Sequence, residues 1–223
     1  MITDALTQLE SMADAQKAIE AAAYHKADRR YLGIPVPAIE PLVADWRAAA
    51  TLDARLQLAA DLWDTDIHEA RVAAAKLLTQ ARIRPDDAAW QLIASWVPQF
   101  DAWSLADHVG IAGQKRLVAD PARLDLVEGW ITHEVMWVRR AALVMTLPWT
   151  KQNHPSAQDQ AIRDRVLGWC NTLAPDRDWF IQKAIAWWLR DLSKHDAPRV
   201  AAWLADHGQT LKSFAGKEAA KYL

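Results

Sequence analysis

Five of the thirteen tryptophans of this 223-residue chain, Trp63, Trp96, Trp130, Trp169 and Trp203, follow one another at intervals of 33, 34, 39 and 34 residues. A large apolar side chain recurring at that period marks a repeated unit. The unit of about 34 to 47 residues that stacks on copies of itself is the helix pair of an α-solenoid. Each of these tryptophans stands near the end of an apolar-periodic stretch, as in Leu58-Ala59-Leu62-Trp63 and Val200-Ala201-Trp203, and is followed by a turn and a second helical stretch. The second stretches share a pattern too: Arg71-Val72-Ala73-Ala74, Arg140-Ala141-Ala142-Leu143, Lys183-Ala184-Ile185-Ala186 and Lys217-Glu218-Ala219-Ala220, a basic residue before a small apolar trio. The repeated tryptophans are expected in the core.

No sustained period-2 alternation and no Asn-Gly or Asp-Gly turn argues for strands, so the chain reads as all-α. The periodicity predicts helices near 3–10, 14–28, 38–50, 52–63, 67–80, 86–97, 102–116, 121–131, 134–146, 157–173, 178–193, 196–206 and 210–221. Pro85, Pro98, Pro121, Pro148, Pro155, Pro175 and Pro198 fall between these stretches, where proline starts or stops a helix without losing an internal hydrogen bond. With no Gly/Ser linker or change of composition, residues 1–223 are expected to form one curved domain with a concave groove.

The formal net charge of -2 conceals an asymmetry: residues 1–112 hold 10 basic and 16 acidic side chains, and residues 113–223 hold 16 and 12. The basic second half permits a cationic groove on a molecule that is acidic overall. A single cysteine, Cys170, excludes a disulfide framework and thiolate zinc sites, and no apolar run approaches the roughly 20 residues of a membrane span, so a cytoplasmic protein is expected. None of the seven histidines lie four apart, and His133-Glu134-Val135-Met136-Trp137 has Trp where a zinc protease needs its second His. No Gly-x-Gly-x-x-Gly, phosphate-binding loop or Gly-x-Ser-x-Gly is present, so neither a metal nor a nucleotide cofactor is expected.

What remains is a series of polar and aromatic pairs on the second helices. Trp103 and Asp107 are four apart, Trp137 and Arg140 three, Lys183 and Trp187 four, and Trp187 and Arg190 three, so each pair shares a helix face. Equivalent helices of a solenoid line one wall, and such a wall would be a cationic groove holding a single carboxylate. By spacing alone, the simpler reading of Asp107 is a surface acid paired with Arg or Lys, and that of Trp103 and Trp187 is core packing.

At these residues the sequence resembles the AlkD-like DNA alkylation repair glycosylases, a family of HEAT-like helical repeats. Tyr31-Leu32-Gly33-Ile34-Pro35-Val36-Pro37, Leu62-Trp63-Asp64 with Glu69-Ala70-Arg71-Val72-Ala73-Ala74, Asp101-Ala102-Trp103-Ser104-Leu105-Ala106-Asp107, Trp137-Val138-Arg139-Arg140-Ala141-Ala142 and Phe180-Ile181-Gln182-Lys183-Ala184-Ile185-Ala186-Trp187-Trp188-Leu189-Arg190 are similar to family segments in the same order. The resemblance implies that Asp107 is the catalytic carboxylate, with Trp103 and Trp187 as aromatic walls. It also implies DNA contacts by Arg140 and Tyr24, to which Lys183 and Arg190 are added as basic residues for the phosphates. The implied activity is excision of cationic N3- and N7-alkylated purines from double-stranded DNA, by a monomer and without base flipping. Trp188 beside Trp187 departs from the family pattern. The alternative is a helical-repeat scaffold that binds DNA or protein and catalyses nothing.

Overall fold

Every segment marked by apolar periodicity contains helix. The computed structural model describes residues 1–223 and holds thirteen α-helices and no strand, Arg30 and Ile67 forming an isolated bridge. Helices α1 (Ile2–Glu10), α2 (Ala15–His25), α3 (Val36–Ala49), α4 (Leu52–Asp64), α5 (His68–Leu77), α6 (Asp87–Trp96) and α7 (Trp103–Ala119) build a first compact unit, Met1–Ala119. Helices α8 (Leu124–Glu128), α9 (Met136–Met145), α10 (Ala157–Leu173), α11 (Trp179–Ser193), α12 (Ala197–His207) and α13 (Ser213–Ala219) build a second, Asp120–Leu223. The division falls directly after α7, where no linker signals it. No helix is long and apolar enough to cross a membrane.

Of the repeated tryptophans, Trp63, Trp96, Trp169 and Trp203 are core, each 6% exposed or less. Three of them place the indole N–H on a partner, as a buried Trp favours. Trp63 donates to Gln99 Oε1 at 2.8 Å, Trp169 to Glu128 Oε1 at 2.8 Å and Trp203 to the Leu167 carbonyl at 3.3 Å. Trp63 and Trp96 stack at 4.5 Å between centroids, so consecutive repeats share an aromatic contact. Trp130 is the exception, being only half-buried. The continuous helix expected over 121–131 is instead a 3-10 turn (Pro121–Arg123), the five-residue α8 and a second 3-10 turn (Gly129–Thr132) that carries Trp130. Pro121 donates no hydrogen bond and Gly129 has poor helix propensity, so the segment tightens instead of continuing as α-helix.

Each unit is organised around one nearly submerged helix. In the first it is α5, packed by α3, α4 and α7, in which all residues from His68 to Ala75 are buried. Four alanines let neighbours approach closely, and Arg71 is occupied: its Nε donates to the Trp63 carbonyl at 2.9 Å, and its guanidinium lies 4.7 Å from the Trp63 ring centroid. In the second unit α11 holds the same place, against α9, α12 and α13.

Glu69 fixes the N-terminal part of the first unit. Its buried carboxylate accepts backbone N–H bonds from Leu32 at 2.9 Å, Gly33 at 2.8 Å and Ile34 at 3.3 Å. That turn meets the start of α2 at Gly33, where φ is +76° and an added Cβ would lie 2.4 Å from the Asp14 carbonyl oxygen and 2.5 Å from the Ala18 nitrogen. Both the left-handed backbone and the contact require glycine. Gly33→Ala is therefore expected to lower unfolding free energy by about 2 kcal/mol or more, from backbone strain and displacement of α2. Urea unfolding measures this, and a loss under about 1 kcal/mol would show that the α2 contact yields.

Candidate active site

Helix α7 begins at Trp103, and Asp107 stands one turn further on, half-buried. The segment entering α7 is pinned by Asp101, which pairs with Arg29; Arg29 also approaches Asp66 at 3.6 Å, and Asp66 meets Arg71 at 3.0 Å. Trp103 is not core. It is 36% exposed and joins a run of rings supplied by α2, the following loop and α5. Tyr24 meets Trp103 edge-on at 6.0 Å, His25 lies 5.8 Å from Trp103, and His25 stacks on His68 at 4.5 Å, with Tyr31 beyond at 5.0 Å from His68. Of the residues singled out from sequence in this unit, the fold thus brings together Tyr24, Trp103 and, on the same helix, Asp107.

The histidines here are neutral near pH 7. Burial pushes His68 down to about 3, and His25, Arg29 and His108 act in the same sense. Burial also lowers His25, against the opposing charge of Glu69. His108, next to Asp107, is held at about 4 by burial and Lys76, although Asp107 and Glu40 favour its protonation.

In the second unit the assigned residues lie on α9 and α11. Trp187 is half-buried and its Nε1 donates to Asp191 Oδ2 at 3.1 Å, which fixes the indole plane. Arg190 is paired with Glu218 and, at 3.2 Å, with Asp191. Lys183 is exposed, its Nζ 4.6 Å from the centroid of Trp179. Arg140 is only 4% exposed, with its guanidinium 5.8 Å from the Trp137 ring, and is the least accessible of the basic residues assigned to DNA. Trp188, the departure from the family pattern, is fully buried and belongs to the core.

The hydrogen bonds also correct the repeat register. Arg71, Arg139 and Gln182 are each the fourth residue of α5, α9 and α11, and each closes the turn before or beside its own helix. Arg139 Nη1 donates to the His133 and Glu134 carbonyls at 2.7 and 2.8 Å, and Gln182 Nε2 to the Ala174 and Asp176 carbonyls at 2.9 and 2.8 Å. Arg71 is thus equivalent to Arg139 and Gln182, not to Arg140 and Lys183 as the small apolar trios suggest. The fifth residues of α5, α7, α9, α11 and α13 are then Val72, Asp107, Arg140, Lys183 and Lys217, one acid in a series otherwise apolar or basic. Sequence reasoning missed Asp191, although it lies four residues after Trp187, and it missed His25 and His68, whose pairing depends on contacts distant in sequence.

A neutral buried imidazole carries a signature in stability. The unfolded chain protonates His68 near its ordinary value of 6.5, the folded chain only near 3, so the unfolded state binds more protons between them and stability falls as pH drops through that window. His68→Phe is expected to reduce the pH slope of unfolding free energy there by up to about 1.4 kcal/mol per pH unit. Denaturant titrations at pH 4 to 7 decide it; slopes identical to the parent's would mean that His68 titrates normally.

Comparison with known proteins agrees with this architecture. A structure described as a predicted DNA alkylation repair enzyme from Enterococcus faecalis superposes with a TM-score of 0.76 at 23% identity, covering 95% of this chain and 97% of that one. AlkD2 from Streptococcus mutans superposes with a TM-score of 0.63 at 16% identity, covering 84% of this chain and 89% of its own. At these identities the likeness establishes the fold, an all-α helical-repeat architecture. No curated protein sequence matched at a significant level. The sequence profile described as DNA alkylation repair enzyme matches residues 5–223, which spans both compact units, and the chain belongs to that family.

Proposed function

We propose that the protein is a DNA glycosylase that removes cationic N3- and N7-alkylated purines from double-stranded DNA by hydrolysing the N-glycosidic bond, without drawing the base into a deep pocket. The observation that carries this reading is the start of α7: an indole left 36% exposed when four of the five repeat tryptophans are core, with a carboxylate one helical turn away. Family membership and the order of the matching segments support it. On this reading the protein works as a cytoplasmic monomer and requires no cofactor.

The chemistry suits that pair. Alkylation at N3 or N7 makes the purine a cationic leaving group, and rupture of its bond to C1′ develops positive charge on the sugar. A carboxylate about 4 Å away, at an effective dielectric near 20, contributes roughly 4 kcal/mol, on the order of a thousandfold in rate if felt mainly in the transition state. Asp107 supplies that charge and orients the attacking water. The faces of Trp103 and Trp187 favour cationic carbon by roughly 0.5 to 2 kcal/mol each. Tyr24, Arg140, Lys183 and Arg190 are assigned to the DNA strand, with Lys183 the most accessible cation and Arg190 already paired.

Asp107→Asn is expected to abolish release of 7-methylguanine from duplex DNA while leaving DNA affinity within about twofold, because it removes charge needed in the transition state and no phosphate contact. A uracil-containing duplex should be inert with either protein, since a neutral leaving group needs an acid. Parallel loss of binding and excision would make Asp107 structural. Failure of the parent to excise any alkylated purine while binding DNA would favour the non-catalytic scaffold.

The phosphate assignments are separable by salt. Lys183→Ala is expected to reduce the slope of log affinity against log salt by about one unit, as for loss of one phosphate contact, and Arg140→Ala to do the same if its guanidinium reaches the strand. An unchanged slope for Arg140→Ala, combined with lower thermal stability, would assign Arg140 to packing against Trp137.

A further inference from the structure

The first unit contains a pocket of about 480 Å³ beside Trp103 that the hydrolysis above does not use. That volume lies within the range of small-molecule sites, roughly 300 to 1,000 Å³. Tyr24 and His25 of α2, His68 of α5, and Trp103, Ser104 and His108 of α7 line it. Flat rings thus form one part of its wall, with Trp103 5.8 Å from His25 and His25 stacked 4.5 Å from His68, and Ile34, Val36, Ile39 and Val72 supply the aliphatic remainder. A hydroxyl and several imidazoles supply donors and acceptors among them.

The charged groups around the pocket are already engaged. Lys17 pairs with Asp14 at 3.0 Å, Glu20 accepts from Gln16 Nε2 at 3.1 Å, and Glu69 holds the backbone N–H groups of Leu32, Gly33 and Ile34. Burial keeps His25, His68 and His108 neutral at physiological pH. A phosphate would find the one lining lysine already paired, and no three side chains are placed together to hold a metal ion, whereas a flat neutral heterocycle would meet aromatic faces and hydrogen-bonding edges.

We propose that this pocket binds a free, neutral nitrogen heterocycle of purine size, the base released by the reaction. The source of the ligand rests on the glycosylase reading; the site itself does not. When the bond between C1′ and the purine nitrogen breaks, its electron pair stays on the base and cancels the lesion's positive charge. The oxygen of water bonds to C1′, and one proton of that water passes to solvent. A cation on DNA thereby becomes a neutral planar molecule beside Trp103, and the pocket retains it by stacking. The released base is then a product inhibitor.

The test uses the full chain and 3-methyladenine as the probe. Calorimetric titration without DNA should show saturable one-to-one binding, unaffected by excess inorganic phosphate. Ala21, half-buried on α2, faces the pocket and has no part in the chemistry. Ala21→Phe should fill the space and weaken binding at least tenfold, Ala21→Leu should weaken it less, and both should leave single-turnover excision from 7-methylguanine DNA unchanged. Added 3-methyladenine should slow multiple turnover by the parent and not by Ala21→Phe. Absence of binding, displacement of the base by phosphate, or equal binding by the parent and both variants would overturn the proposal. Should Ala21→Phe fail to fold, Ala21→Leu and the phosphate competition decide the matter. Binding without excision of any alkylated purine would reject the glycosylase reading and leave the pocket standing; excision without binding would reject the pocket alone.

Discussion

A single buried carboxylate sets the geometry of the first unit. Glu69 accepts from three successive backbone N–H groups, those of Leu32, Gly33 and Ile34, and so ties α5 to the turn that leads into α3. Hydrogen bonds to a charged acceptor are about twice as strong as neutral ones, and removing the acceptor would leave each buried N–H at a cost of roughly 1 to 3 kcal/mol. The turn cannot shift without breaking them together. Because Gly33 is in contact with the start of α2, the position of Tyr24 and His25 follows from the same carboxylate, and His68 is its neighbour in sequence. The ring cluster around Trp103 is thus a consequence of how one acid is satisfied.

The side chains that close the turns before α5, α9 and α11 extend this logic. A helix-pair repeat leaves carbonyls exposed where the first helix ends, and burying the second helix would strand them. Arg71, Arg139 and Gln182 meet that demand from one helical position with different chemistry. Sharing of function without sharing of residue type hides this register from pattern matching: the small apolar trios line up Arg71 with Arg140, one residue away from its geometric equivalent. The same shift puts Asp107, Arg140 and Lys183 at corresponding positions of α7, α9 and α11.

Much of the fold was legible because it depends on period. Tryptophans spaced by a helix pair and prolines between apolar stretches give thirteen helices in the right order. The exception at 121–131 arises where Pro121 and Gly129 weaken the local α preference within a segment whose apolar pattern still looks helical, and Trp130 leaves the core with it. The site was legible only along single helices. Trp103 with Asp107 and Trp187 with Arg190 follow from spacing, but the pairing of His25 with His68 and the pocket beside Trp103 arise from packing of α2, α5 and α7, which no local pattern encodes. Trp188 illustrates the converse: its neighbour Trp187 is half-buried, and one step around the helix is enough to place Trp188 wholly in the core.

The electrostatics of the first unit bear on the proposed chemistry through what they withhold. Arg29 and Arg71 are committed to Asp66 and Asp101, Lys76 to Glu40 at 2.7 Å, and Arg116 to Asp86 at 3.0 Å, so these cations serve the fold. His108 follows Asp107 directly, and its burial keeps it neutral down to about pH 4. Phosphate binding must then draw on other cations, of which the exposed Lys183 is the clearest. Under the glycosylase reading, the acidic first half and the basic second half of the sequence divide the labour, with the transition-state charge on one and the means of holding the strand on the other.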